Sequence, residues 1–343
     1  MTQARPVDED SDLAQANSPT LSRRHHILDL DDFTRDEITE VLDNTAAMAG
    51  VLKRDIRKVP ALRGKTVITL FHEASTRTRV SFEQAGKVLS ADVINVTGSG
   101  TSVEKGESLY NTALTLQAMN ADIIVVRHPD AGAPHFLARH LNSSVINAGD
   151  GTHAHPTQAL LDLYTLRSRL GRLEGLKVAI VGDILHSRVA RSNLWGLTAV
   201  GAEVVLCGPP TLMPIDLVNG ERTAEGHPFA AIRTETSVER AIEGADAVMV
   251  LRIQSERQRG GFLPSLREYS KMYGINAKRM ELAKPEALVM HPGPMNEGVE
   301  IDSEVAHGAR SVIEEQVANG VAVRMALMFG IITPAPVSAR SRN

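Results

Sequence analysis

Cysteine is almost absent from this chain: Cys207 is the only one in 343 residues. That excludes an internal disulfide and a cysteine-only metal site, and it fits a reducing, cytoplasmic setting. Cys207 follows the strand-like run Glu203-Val204-Val205-Leu206, so a buried structural thiol is expected rather than a nucleophile. No apolar run approaches the roughly 18 residues of a membrane span. Residues 1–22 are polar and acidic without an apolar segment, and read as a mobile extension rather than a signal peptide. Positive charge is not in surplus; the net charge of −4 argues against general nucleic-acid binding and confines any anion binding to a local site. The run Val178 to Asp183 lacks G-x-G-x-x-G, so it suggests a dinucleotide-dependent oxidoreductase only weakly. Neither an internal repeat nor a metal-ligand cluster is apparent.

What the chain does have is Ser75-Thr76-Arg77-Thr78-Arg79. The apolar run Thr66 to Phe71 before it reads as a buried strand, and Val80 to Leu89 after it as a helix with an apolar face. Two hydroxyls, two guanidinium groups and unpaired backbone N–H groups thus meet at a helix N-terminus. Such a turn binds phosphate, because the amides and the helix dipole favour negative charge and arginine adds paired charge-assisted bonds. Arg79, one step further into the helix, is read as structural.

The length suits two domains. Strands at 66–71, 91–96, 122–126 and 145–147 alternate with helices at 80–89 and 107–119. After a helix over 157–170, the pattern resumes with strands at 177–183, 203–207, 246–251 and 287–290 and a helix at 186–199. The fold class expected is α/β: two doubly wound domains, each a mostly parallel sheet flanked by helices. A final amphipathic helix is expected over 311–330, and the charged, glycine-bearing stretch 252–264 reads as a mobile loop of the kind that forms lids.

In such sheets ligands bind beyond the carboxyl ends of the strands. Ser75–Thr78, Arg127 with His128, Arg252 and His291 each follow a predicted strand. Together with Arg188, Arg77, Arg127 and Arg252 suit highly anionic substrates, since guanidinium stays charged and pairs with planar oxyanions.

Two further motifs, His155-Pro156-Thr157-Gln158 and His291-Pro292-Gly293-Pro294, complete a set with Ser-Thr-Arg-Thr-Arg. In order and spacing, from about Arg24 to Thr333, this set resembles the transcarbamylases, the aspartate/ornithine carbamoyltransferase family. Thr157, and Pro292 directly after His291, match the members that use aspartate; the ornithine members typically carry His-Pro-Cys-Gln and His-Cys-Leu-Pro. The resemblance implies carbamoyl transfer from carbamoyl phosphate to L-aspartate, in pyrimidine synthesis, with no cofactor and no metal. Ser75, Thr76, Arg77, Thr78 and Arg127 would hold carbamoyl phosphate; Thr78, Arg127 and His155 would contact its carbonyl oxygen, and Gln158 and Pro292–Pro294 its NH2 group. Arg188, Arg252 and Gln254 would hold aspartate. Ser102 and Lys105 would reach into a neighbouring subunit's site, which implies a cyclic homotrimer.

The resemblance also places the carbamoyl-phosphate domain at 23–156, the aspartate domain at 157–309, a helix at 310–334 returning to the first domain, and a tail at 335–343. Gly182 to Asn193 resembles members that assemble with dihydroorotase or a dihydroorotase-like protein; a regulatory-chain partner is the family's other arrangement. One departure stands out: Glu297 occupies a position where many relatives carry arginine. His72 and His153 are read as bystanders. An ornithine enzyme, an oxidoreductase and a non-catalytic anion-binding or assembly subunit are the competing readings.

Overall fold

The computed structural model describes Leu21 and residues 24–97, 106–222, 224–254 and 265–332. Two parallel sheets form its frame. The first contains β1 (Thr66–Phe71), β2 (Asp92–Thr97), β3 (Ile123–His128) and β4 (Ser144–Asp150), in the order β2-β1-β3-β4. The second contains β5 (Lys177–Val181), β6 (Glu203–Cys207), β7 (Ile232–Glu235), β8 (Ala247–Val250) and β9 (Leu288–Met290), in the order β7-β6-β5-β8-β9. All seven strand pairings are parallel. Central strands such as Val178-Ala179-Ile180-Val181 are apolar and buried on both faces, as a sheet sandwiched between helices requires.

The helices of ten or more residues are α1 (Arg35–Leu52), α2 (Thr76–Val88), α3 (Leu109–Ala118), α4 (Pro156–Leu170), α5 (Arg188–Ala199) and α6 (Ile313–Ile332). Their starts follow the local chemistry. Thr34 and Glu37 form a reciprocal capping box at α1, Pro156 occupies the first turn of α4, and Gly171 ends α4 in the left-handed region.

Helix α6 packs on α1, α2 and α4, so the C-terminal helix does return to the first sheet's helices. It differs from the expected amphipathic helix: from Gly320 to Met328 every residue is buried. By length and mean composition alone it could cross a membrane, although Glu314, Glu315 and Arg324 interrupt its apolar run. Here most of its apolar surface is covered by the helices it crosses, Val317 remaining exposed, and Leu21, within the stretch read as an extension, is buried against it at Gly330. The edge strand β7 was not anticipated, because Ile232-Arg233-Thr234-Glu235 carries one apolar side chain and an edge strand needs little more. Residues 1–20, 98–105, 255–264 and 333–343, including the glycine-rich loop, most of the expected lid and the tail, lie outside the described residues.

Sheet order fixes where a ligand can sit. In each sheet the connections change direction once, between β1 and β3 and between β5 and β8. The crevices beyond these carboxyl ends are the ligand positions of a doubly wound sheet, and here the two open onto one cleft.

Candidate active site

The cleft encloses about 410 Å³. It is lined by Ser75, Thr76, Arg77, Thr78, Arg127, His155, Gln158, Arg188, Arg252, Gln254, Pro292, Gly293 and Pro294, so every sequence-predicted site residue within the described range is brought together. Ser102 and Lys105 lie outside that range.

Ser75 is the N-cap of α2, extended at φ −161°, and its hydroxyl accepts the Thr78 N–H at 3.4 Å. The first-turn amides of α2 therefore face the cleft at the positive end of the helix. The guanidinium of Arg77 lies against Gly293, where a Cβ would come within 3.0 Å of its Cζ. Gly293 also has φ +66°, so glycine serves both the turn and the arginine. Burial, and then the nearby charge of Arg252, lower the Arg77 pKa. Two guanidinium groups brought this close on the cleft wall form a subsite for an anion.

Arg127, next to last in β3, sits at a register shift: Val126 pairs with Asn147, but His128 pairs with Asp150, leaving Ala148 and Gly149 opposite Arg127. Such an irregularity re-aims the side chain beside it. Arg127 Nη1 donates to the Ala148 carbonyl at 3.2 Å. Gly149, at φ +117°, leaves room for two arginines at once: a Cβ there would sit 2.9 Å from Arg188 Cζ and 3.2 Å from Arg127 Nη1.

Arg188 opens α5 behind its Ser187 cap and is 4 % exposed. Glu73 joins the two sheets through these arginines. Its Oε1 accepts from Arg127 Nη2 at 2.7 Å and Arg188 Nη2 at 2.8 Å, and its Oε2 accepts from Arg188 Nη1 at 2.8 Å. Arg252 and Gln254 follow β8, linked to each other at 3.4 Å. Asp183 at the end of β5 accepts the Gln254 N–H at 3.4 Å and so ties that strand end to the β5–α5 loop.

His155 caps α4 and is 4 % exposed; its N–H donates to Ser192 Oγ at 2.9 Å. One turn on, Gln158 Nε2 donates to Asp162 Oδ1 at 3.0 Å. An ionised carboxylate only accepts, so the NH2 end of Gln158 must face Asp162, leaving its carbonyl oxygen for the cleft. Asp162 is fully buried and also accepts from Gln316 Nε2 and Asn193 Nδ2, each at 2.8 Å. Burial pushes its carboxyl up to about 6, against the opposing effect of these three amides. Gln316 in turn accepts the His291 N–H at 3.0 Å, so one carboxylate braces α4, α5, α6 and the loop after β9.

His291 is a scaffold. Its Nδ1 accepts the Gly293 N–H at 2.8 Å, which leaves the proton on Nε2, 3.3 Å from Glu300 Oε1. Glu297 is exposed, bonds Ser303 and His307, and does not line the cleft, so its charge reversal is spent locally. Arg324 adds a buried cation to the cleft wall, bonded to Ser81 Oγ at 2.8 Å. Burial first, and then Arg127, lower it to about 9, so it remains charged at neutral pH. Cys207 is buried, its thiol pushed up to about 12 by that burial, and it is no nucleophile. His72 and His153 do not line the cleft.

The sequence model for the carbamoyl-phosphate-binding domain of aspartate/ornithine carbamoyltransferases matches residues 25–168, and that for the Asp/Orn-binding domain matches residues 174–331. The chain belongs to the aspartate/ornithine carbamoyltransferase family. A curated relative, the aspartate carbamoyltransferase catalytic subunit of Roseiflexus sp. (strain RS-1), is 59 % identical over 307 residues, covering 90 % of this chain and 95 % of the relative. The solved catalytic subunit of M. jannaschii aspartate transcarbamoylase superposes with a TM-score of 0.78 at 35 % identity, over 90 % of this chain and 98 % of that one. The Trypanosoma cruzi aspartate transcarbamoylase solved with carbamoyl aspartate and phosphate gives 0.79 at 30 % identity, over 91 % and 97 % of the two chains.

Family membership accounts for the motifs but leaves four neighbours that sequence reading missed: Glu73, Gly149, Asp162 and Arg324. Two carried a signal. Asp162 lies four residues after Gln158 on one helix face, and Arg324 is the one charge in the apolar stretch that follows the first turn of its helix. A third expectation needs correction. Outside the cleft, His135, Asp150 and His153 do bring metal-competent atoms within 4.8 Å of one another. Asp150 and His153 lie three residues apart in one turn, but His135 comes from the separate helix Ala133–Ala138, so the three do not form one local ligand motif.

Proposed function

We propose that this chain is the catalytic subunit of an aspartate carbamoyltransferase, joining carbamoyl phosphate and L-aspartate to give N-carbamoyl-L-aspartate and phosphate in de novo pyrimidine synthesis. The observation that carries the reading is that the anion-binding ends of both sheets share one cleft. The first side offers the amides of α2, with Arg77 and Arg127, for the phosphate and carbamoyl groups. The second offers Arg188, Arg252 and Gln254 for the two carboxylates of aspartate.

Holding both substrates removes much of the entropic cost of a bimolecular step. The neutral aspartate amine attacks the carbamoyl carbon and an oxyanion forms on the carbonyl oxygen. Thr78, Arg127 and His155 supply donors to that developing charge, an electrostatic contribution worth more in a closed cleft than in water. The Gln158 carbonyl, fixed by Asp162, accepts from the carbamoyl NH2 and sets its orientation. The C–O bond then breaks, phosphate leaves with the bonding pair, and the surplus amine proton passes to the departing oxyanion.

Arg252→Ala tests the division of the cleft. It is expected to raise KM for aspartate and lower kcat together while sparing carbamoyl phosphate affinity, measured directly by calorimetry. A comparable loss of carbamoyl phosphate binding would move Arg252 to the other subsite.

The subunits are read as a homotrimer in the cytoplasm, with Ser102 and Lys105 completing a neighbour's site, and with dihydroorotase or a related chain as partner in a larger assembly. This rests on the family motifs, and fractionation with sizing of the native complex checks location and partner. Complementation tests the shared site: Lys105→Ala and His155→Ala proteins should each be inactive, and trimers mixed from the two should regain about one native site in three, because a ring contact is directional. Verified mixed trimers without activity would show that Lys105 does not act across the interface.

A further inference from the structure

We propose that His135, Asp150 and His153 bind a zinc-like divalent transition-metal ion beside the turn that delivers His155, outside the catalytic cleft. One ligand atom from each lies within 4.8 Å of the other two. His153 Nδ1 is 3.1 Å from Asp150 Oδ2, already the edge length of a coordination shell with metal–ligand bonds of about 2.0–2.2 Å. The remaining closure falls to His135, which is half-buried on the short helix Ala133–Ala138 and needs a movement on the order of 1–2 Å.

Two observations point to a ligand rather than a self-satisfied turn. His135 Nδ1 is buried and has no hydrogen-bond partner among the described residues. On the far side of His153, Nε2 faces the buried carboxylate of Asp29 at 3.7 Å. A metal-bound histidine characteristically presents its other nitrogen to a carboxylate, which fixes the ring and strengthens it as a ligand. Asp150 is pre-set as well: Asn147 Nδ2 and the Ala154 N–H donate to Oδ1, and the Gly132 N–H to Oδ2 at 2.7 Å.

Two imidazoles and one carboxylate suit zinc, cobalt or nickel; calcium and magnesium prefer all-oxygen shells. None of the three residues lines the cleft. An ion there would instead pin the start of the 133–138 helix to the 150–155 turn, and so stiffen the segment carrying His155.

Titrating the EDTA-treated, full-length protein with Co2+ tests this. One Co2+ per chain should give visible ligand-field bands, which Zn2+ abolishes by displacement. His135→Gln and His153→Gln should each weaken Co2+ binding by at least the roughly 10–100-fold expected for losing even an outer partner of a ligand. His140→Gln, a nearby histidine whose ring bonds the Phe136 carbonyl, should bind as the parent does. Absence of saturable bands in the parent, or unchanged bands in the folded His135→Gln/His153→Gln double variant, would overturn the proposal.

Discussion

Arg77→Ala is expected to lower kcat by about 10²–10³-fold while leaving the unfolding midpoint close to the parent's. Arg77 belongs to the first turn of α2, lines the cleft, and rests over Gly293 rather than within the core. Its lowered pKa, from burial and the facing Arg252, shows a cation held at a cost that an anionic ligand would relieve. Removing it therefore removes stabilisation of the bound phosphate and of the charge that moves onto it as the C–O bond breaks. Steady-state kinetics with both substrates saturating, alongside thermal unfolding, measures the two effects separately. A folded Arg77→Ala protein with near-parental kcat would place the phosphate elsewhere.

Asp162→Ala should damage both stability and turnover. The substitution leaves the buried amides of Gln158, Gln316 and Asn193 without their acceptor. Unsatisfied buried donors cost about 1–3 kcal/mol each, so a loss of about 3 kcal/mol at pH 7 is a conservative expectation. Turnover should fall as well, because the Gln158 amide is then free to turn its NH2 toward the cleft.

The pH dependence has a definite sign. The folded Asp162 carboxyl is raised to about 6 from an ordinary 3.8, so the proton-linked part of its contribution to stability, added to that of the three amide bonds, is full below about 4 and lost as pH rises through about 6. The parent should therefore gain on the alanine variant as pH falls from 7 toward 4, and the gap in denaturant midpoints should widen. A constant gap over that range would mean that Asp162 does not titrate there, and equal stability at pH 7 would remove it as the brace of the site.

Much of this was legible in the sequence, for physical reasons that differ between elements. The β1–α2 phosphate turn could be read because the strand, the cap and the arginines are contiguous, and a helix start states its chemistry locally. The central strands were legible as short apolar runs, since a strand buried on both faces has no polar alternation to confuse it. Strand β7 is not, because an edge strand carries little apolar signal, and the pattern of α6 reads as amphipathic although every residue from Gly320 to Met328 is buried.

The site residues came from motifs, but the groups that hold them did not. Glu73 reaches Arg188 across 115 positions of sequence, and Asp162 reaches Gln316 across 154. Pairings of that separation leave no local pattern; only the packed fold places them together. Gly149 is of the same kind. Its need for a missing side chain follows from two arginines arriving from β3 and α5, neither of which it neighbours in sequence.

The most direct test of the central claim is to follow the carbamoyl carbon itself. With ¹³C-labelled carbamoyl phosphate, purified protein and equal concentrations of L-aspartate and L-ornithine, carbon NMR should show the label passing to N-carbamoyl-L-aspartate with stoichiometric release of phosphate. Label appearing in citrulline instead, or carbamoyl phosphate decaying no faster than it does without protein, would contradict the account.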